Sequence, residues 1–332
     1  MKKILKKALF SVLFLFLFLA GYLSIGSVQP AENITWGINF SQKQANLFGL
    51  DWKALYLALL RDLEFKNIKI ATHWDLIEKE KGVYDFRDLD WQIETAENYG
   101  AKVFLVIGMK TPRWPECHMP AWTDYMIKEE QQASILDLVS QIVNRYKNSA
   151  SVIAWQVENE PFFPYGDCPW ADKAFLKKEI ALVKSLDNER LVSVSDSGEY
   201  SMWFTAAQLS DFVSSTLHRK VWYKEFKIYV DYFWFRPIYY ARKAGLINFL
   251  FDKKVVIGEL QAEPWCSHIL PTNCSLEEQS RTMDLEKLRD NVKFAKETGL
   301  DEVYFWGGEW WYWLREKQDS PQIWEEIKKI IN

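Results

Sequence analysis

Two of the 45 acidic residues stand where chemistry could be done. Glu160 lies in Trp155-Gln156-Val157-Glu158-Asn159-Glu160-Pro161, where an apolar, β-favouring run meets a proline that ends strand pairing. Glu259 lies in a similar place, in Val256-Ile257-Gly258-Glu259-Leu260. Two carboxyls facing one bound group can divide acid–base work. One, kept protonated, gives its proton to a departing oxygen; the other, ionised, attacks carbon or activates water. That is the chemistry of breaking a glycosidic bond. Strand alternation would put Glu158 and Glu160 on one side and Asn159 on the other, with Glu160 nearest the strand end and so the better candidate. Glu263, in Ala262-Glu263-Pro264-Trp265, is a rival to Glu259 four residues further on.

Other chemistries find less support. The four histidines, His73, His118, His218 and His268, form neither HxH nor HExxH. The four cysteines contain no CxxC, so no metal is expected. No Gly-x-Ser-x-Gly elbow is present. The first β-rich run leads into Asn39-Phe40-Ser41-Gln42-Lys43, with no GxGxxG to hold a dinucleotide, and no cofactor is expected. The net charge of −4 includes four lysines and no acid in residues 1–30, so the remainder is near −8 and unsuited to nucleic acid.

The carboxyls must be positioned by something, and the chain supplies a regular frame. Eight short β-rich runs recur: Ile34–Phe40, Ile68–His73, Lys102–Gly108, Val152–Val157, Arg190–Ser195, Phe212–Leu217, Lys254–Glu259 and Glu302–Trp306. Most are continuously apolar, as strands covered on both faces should be. Between them lie helical patterns such as Trp52–Glu64, Leu89–Tyr99, Glu129–Tyr146, Lys173–Leu186 and Glu286–Thr298, with a short fifth crossover near Met202–Ser210. Eight alternations in about 300 residues predict an α/β fold, a single (β/α)8 TIM barrel, over a doubly wound open sheet. A barrel places its chemistry at the C-terminal ends of its strands, and both glutamates lie there. Strands four and seven face each other across the mouth, so Glu160 and Glu259 can converge.

Before the barrel, Lys2, Lys3, Lys6 and Lys7 precede an apolar run from Ala8 to Ile25. Residues 1–31 read as a signal peptide or an uncleaved signal anchor, with membrane anchoring through residues 8–25 in the second case. Ser27-Val28-Gln29-Pro30-Ala31 is the nearest cleavage candidate. Residues 32–332 then form one extracytoplasmic domain, secreted or tethered, expected to be a monomer. An even count of cysteines fits export and disulfides. Cys266 with Cys274 and Cys117 with Cys168 is the expected pairing, with two others open.

The aromatic content, 17 Trp, 15 Tyr and 21 Phe, suits a ligand with flat apolar faces such as a sugar. Trp114, Trp122, Trp170, Trp265, Trp310, Trp311 and Trp313 fall in expected loops after strands three, four, seven and eight, with packing roles expected for at least half of them. Trp52, Trp91 and Trp324 sit on helical patterns and should be structural. The aromatic run Tyr229–Tyr240 could form a lid or an interfacial patch.

In combination these motifs resemble clan A of the glycoside hydrolases, the retaining TIM-barrel enzymes of families 5, 39 and 42. The resemblance spans most of the body. It rests on Asn159-Glu160 after strand four, Glu259 after strand seven, Trp306 ending strand eight, and Trp74 with Ile77-Glu78, Gly82 and Tyr84-Asp85-Phe86 after strand two. It implies Glu160 as acid/base, Glu259 as nucleophile, Asn159 on a sugar 2-hydroxyl and Trp306 beneath the catalytic sugar. Trp74 and Trp265 are further substrate-binding candidates. The sequence departs from the pattern in two places. His218 stands where an aromatic hydroxyl often follows strand six, with Tyr223 able to supply one, and Thr72-His73 stands where family 5 often has an arginine. His73 and His218 are accordingly candidates to orient substrate or nucleophile. The implied activity is a retaining β-glycoside hydrolase on a poly- or oligosaccharide, with transglycosylation a close variant. A membrane-tethered glycan-binding protein without catalysis is the alternative from another class.

Overall fold

In a computed structural model, Phe10, Ser11, Phe14 and residues 21–331 are described. Ten strands are found among them: β1 (Thr35–Phe40), β2 (Asn67–Ala71), β3 (Lys102–Ile107), β4 (Val152–Val157), β5 (Leu191–Asp196), β6 (Phe212–Leu217), β7 (Lys220–Tyr223), β8 (Ile228–Asp231), β9 (Lys254–Gln261) and β10 (Glu302–Trp306). Eight of them close a parallel barrel in the order β1-β2-β3-β4-β5-β6-β9-β10 and back to β1. The expected barrel is therefore present, and all eight β-rich runs are its staves. β7 and β8 form a separate antiparallel hairpin. It occupies the start of the aromatic run, whose Tyr232 and Tyr240 are buried while Phe233 and Trp234 are exposed.

The connecting helices are α1 (Gln42–Leu47), α2 (Trp52–Arg61), α3 (Trp74–Ile77), α4 (Arg87–Asn98), α5 (Lys128–Tyr146), α6 (Lys173–Leu186), α7 (Phe204–Leu209), α8 (Pro237–Phe251), α9 (Leu276–Ser280), α10 (Leu285–Glu297), α11 (Gly308–Lys317) and α12 (Gln322–Ile331). Several begin at acceptors that take their first free N–H groups: Ser41 for α1, Asp51 for α2, Asp172 for α6 and Asp284 for α10. Their apolar stripes pack on the outer faces of the strands in one continuous core that includes Leu59, Ile93, Val139, Val183, Ile247 and Trp324. Inside the barrel a small cluster of Phe104, Ala154 and Tyr304, with Phe212 against it, fills the lower lumen and leaves the strand ends above it to polar groups.

Most of the apolar run 8–25 lies outside the described residues, and so does the question of a signal or anchor there. Among the described residues no helix is long and apolar enough to cross a membrane. The cysteines pair as expected, Cys117 with Cys168 and Cys266 with Cys274. Trp310, Trp311 and Trp313 are not loop residues. They lie on α11 and are buried, because that helix packs against β1, α2 and α12 as part of the outer core.

Candidate active site

Glu160 and Glu259 reach the same mouth by different backbone devices. On β4 the extended chain stops at Val157. Glu158 and Glu160 then adopt left-handed φ of 60° and 41°, a conformation that costs a non-glycine residue about 1–2 kcal/mol. Neighbouring groups hold the turn: the Glu158 N–H donates to Ile107 O at 2.9 Å, the Asn159 N–H to Lys110 O at 2.7 Å, and the Glu160 N–H to Ser195 Oγ at 2.7 Å. Strand alternation therefore fails just where the carboxyls are placed. Glu158 does not share a side with Glu160. It turns to the end of β3, where its carboxylate accepts the N–H groups of Met109 and Lys110 at 2.8 and 2.6 Å. A side chain at Gly108 would lie 2.3 Å from Glu158 Oε1, so glycine makes that cap possible.

On β9 the device is a bulge. Ser215 and Thr216 of β6 pair with Ile257 and Glu259, skipping Gly258, and the β10 ladder shifts over the same stretch. The extra residue re-aims the side chain after it. A Cβ on Gly258 would sit 1.8 Å from Ser214 Oγ, so only glycine fits the lumen there. Glu259 then points inward, 3.2 Å from Lys69 Nζ, both side chains being buried. Thr216, the cross-strand partner of Glu259, donates its hydroxyl to Glu160 Oε1 at 3.2 Å. One threonine is thus tied to Glu160 by its hydroxyl and to Glu259 by strand pairing.

The electrostatics separate the two. Burial, then the charges of Glu259 and Glu116, push the Glu160 carboxyl well above its ordinary range. Glu259 has an ammonium beside it. Burial pushes that Lys69 ammonium down, and the Glu259 carboxylate draws it back.

Around this pair the expected residues divide. Trp306 and Trp265 are half-buried and stacked, with centroids 5.6 Å apart and planes at 22°. His218 meets both edge-on, and its Nδ1 is buried without a partner among the described residues. Trp306 rests on Arg113, whose guanidinium carbon is 4.3 Å from the ring centroid. Arg113 is itself held by Glu263 at 2.5 Å and Glu309 at 2.6 Å. That pairing explains Glu263: it is buried beneath the platform, and burial pushes it up to about 7. Asn159 is buried, with its amide on Glu116 Oε2 at 3.1 Å and its carbonyl taking Ser195 Oγ at 2.9 Å. Tyr223 bonds Tyr200 through its hydroxyl at 2.9 Å.

Two expectations are corrected. His73 is buried and its ring nitrogens face Ser41 Oγ at 2.9 Å and Thr111 Oγ1 at 3.3 Å, so neither is free to orient a substrate. Trp74 is fully buried, with its indole N–H on Glu78 Oε2 at 2.7 Å, while Glu78 Oε1 takes the Gly82 N–H at 2.7 Å. The motif after strand two is a structural clip at the end of β2.

Four participants were missed: Lys69, Arg113, Glu116 and Thr216. Lys69 carried a signal, being a charge inside the buried strand Asn67–Ala71. The other three had none that their neighbours in sequence could show.

Comparison with known proteins bears on the fold and its relatives. The family model described as glycosyl hydrolases family 2, TIM barrel domain, matches residues 98–234, a stretch that contains Asn159-Glu160 and ends before Glu259. With the relatives below, this match supports a clan A, TIM-barrel glycoside hydrolase. A mannan endo-1,4-beta-mannosidase A of Emericella nidulans is 29% identical over 153 residues, covering 43% of this chain and 39% of that protein. The chain thus spans about two fifths of the length of that curated relative. Among solved structures, xylanase 10B of Thermotoga maritima superposes with a TM-score of 0.57 at 17% identity, over 90% of this chain and 95% of that one. The GH5_18 protein of Bifidobacterium longum superposes with a TM-score of 0.57 at 11% identity, over 83% of this chain and 70% of that one. At such identities these two likenesses bear on the fold alone.

Proposed function

We propose that the protein is a retaining β-glycoside hydrolase of an extracytoplasmic poly- or oligosaccharide, with Glu160 as acid/base and Glu259 as nucleophile. The observation that carries this reading is two buried carboxyls at one barrel mouth, Glu160 on the Thr216 hydroxyl and Glu259 opposite Thr216 in the strand ladder. The Trp265–Trp306 face beside them supports a sugar substrate. Two disulfides fit action outside the cytoplasm.

The chemistry runs in two displacements. Glu259 attacks the anomeric carbon through a carboxylate oxygen as the glycosidic C–O bond breaks, and Glu160 gives its proton to the leaving oxygen. Esterification removes the Glu259 charge, the largest cause of the raised Glu160 pKa after burial, so Glu160 becomes more acidic once the intermediate forms. It is then suited to take a proton from water. The water oxygen bonds the anomeric carbon, the ester bond breaks and Glu259 recovers its charge.

The test is direct. β-Mannan is the first polymer to try, because the curated relatives are named for it, followed by β-glucans, β-galactosides and xylan. Glu259→Gly should abolish hydrolysis, azide should restore turnover with an α-glycosyl azide, and a 2-fluoroglycoside should label Glu259 in the wild type. Release of the α anomer by the wild type, or full activity in the Glu259→Gly protein, would overturn the proposal.

A further inference from the structure

The mouth contains a third carboxyl, Glu116, that the two-displacement scheme leaves unused. We infer that Glu116 is a positioning residue for the acid/base, holding the Asn159 amide beside Glu160 and supplying a negative charge that keeps the Glu160 proton in place. This rests on Glu160 being the acid/base.

The geometry is specific. Glu116 Oε2 accepts the Asn159 amide at 3.1 Å, and Oε1 accepts the Arg113 N–H at 3.1 Å. Its backbone is left-handed, with φ of 71°, in the loop after β3. The next residue, Cys117, is joined to Cys168 in the loop after β4, so the segment carrying Glu116 is clamped to the one after Glu160. The side chain is only 6% exposed, and among the described residues no cation sits on either oxygen. Lys110, the ammonium nearest in effect, is spent on the carbonyls of Glu160 and Phe163 at 2.9 Å each. The Arg113 guanidinium is taken by Glu263 and Glu309.

The two N–H donors fall on separate oxygens of Glu116, and a glutamine offers only one acceptor oxygen, so the ionised carboxylate is the form that satisfies both. Burying that charge without a salt-bridge partner is costly. The carboxylate brings a negative charge to the mouth together with its two acceptors. The groups that act on Glu160 are Glu259 from β9, Glu116 and Lys110 from the loop after β3, Glu199 from the loop after β5, and more weakly Lys69 from β2 and Tyr165 from the loop after β4, while Thr216 of β6 contributes a neutral hydroxyl. Glu116 itself answers to Lys110 and Glu259, and burial pushes it up to about 7. Its charge thus rises through neutrality, where the acid must still hold its proton. A negative neighbour favours the protonated form of Glu160, so removing it lowers the pH at which that proton is lost.

The experiment compares wild type with Glu116→Gln on two aryl β-glycosides, one with a poor leaving group and one with a dinitrophenyl group that needs no proton. The expected result is an alkaline limb of kcat/KM displaced by about one unit to lower pH for the poor leaving group. On the falling alkaline side kcat/KM should drop by up to about tenfold for that substrate and less than twofold for the dinitrophenyl one. Glu116→Asp, which keeps the charge, should restore most of the limb. If the Gln protein fails to fold, Glu116→Ser is expected to show the same shift. An alkaline limb that stays in place in a folded neutral variant overturns the inference, as does an equal loss on both substrates. Glu160→Ala, run alongside, tests the underlying reading separately: it must spare kcat/KM on the dinitrophenyl substrate selectively, since only the second displacement of that substrate needs Glu160, and failure there removes the acid/base assignment whatever Glu116 does.

Discussion

Replacing Lys69 by methionine removes the ammonium beside Glu259 while keeping an unbranched side chain of similar bulk in the lumen. At 3.2 Å and an effective dielectric near 20, two unit charges interact by about 5 kcal/mol, an upper figure for the pair. Loss of one member of a buried pair usually costs about 3–5 kcal/mol, because the survivor is left charged without compensation. Glu259 has a cheaper course, which is to take up a proton as pH falls. Lys69 also acts on Glu160, more weakly, so the alkaline limb moves by less. The bell of kcat/KM against pH should therefore move up, its acidic limb most. The stability sign comes from the same change. Without the ammonium, the ionised Glu259 carboxylate is a buried charge left uncompensated, a cost that protonation at low pH relieves and that returns as pH rises. The Tm deficit of Lys69→Met relative to wild type should thus be larger near pH 8 than near pH 5. The measurement is kcat/KM from about pH 4 to 9 on one aryl glycoside, with melts at both ends. An acidic limb unmoved in a folded variant would show that Lys69 does not hold the nucleophile in its ionised form.

Gly258→Ala places a methyl group 1.8 Å from Ser214 Oγ at the bulge; activity should fall at least a hundredfold as Glu259 is displaced, with about 1–3 kcal/mol of destabilisation from overpacking. The double variant with Ser214→Gly should recover part of both, which kcat/KM and urea unfolding would measure. Glu179 of α6, buried against Glu158, has a carboxyl pushed well above its ordinary value by burial and then by the Glu158 charge. Its folded pKa being raised, the stability tied to its proton is intact below the unfolded carboxyl range and declines as pH rises toward the folded value. Glu179→Gln should accordingly flatten the fall of Tm from about pH 5 upward, and an unchanged Tm profile would count against a proton held between these two residues.

Legible and hidden features divide along one physical line. A parallel barrel strand is buried on both faces, so its apolar run is continuous and shows in sequence wherever it occurs; all eight staves were readable on that ground. The catalytic candidates were readable as strand-end acids beside a proline or a glycine. Their surroundings were not, because each depends on a local departure from regular strand geometry. Alternation assigned Glu158 to the mouth, yet left-handed φ at Glu158 and Glu160 turned Glu158 to the β3 cap and left Glu160 and Asn159 facing the barrel end. A regular β9 would also aim Gly258 and Glu259 to opposite faces; the bulge is what gives the lumen both the gap at Gly258 and the Glu259 carboxylate. Lys69 was visible as a charge among Ile68 and Ile70, and a buried lysine in such a place requires an acid, so the inference from Lys69 to a partner was available even though the choice of Glu259 was not. Glu116 had no such mark. Its place in the mouth is set by a clamp between two loops, Cys117 to Cys168, and a carboxyl gains its partners there from chain segments 43 and 3 residues away alike. Sites built on loops of this kind take their identity from the cross-link and the turn, which is why the third carboxyl became visible only when the two strand ends stood side by side.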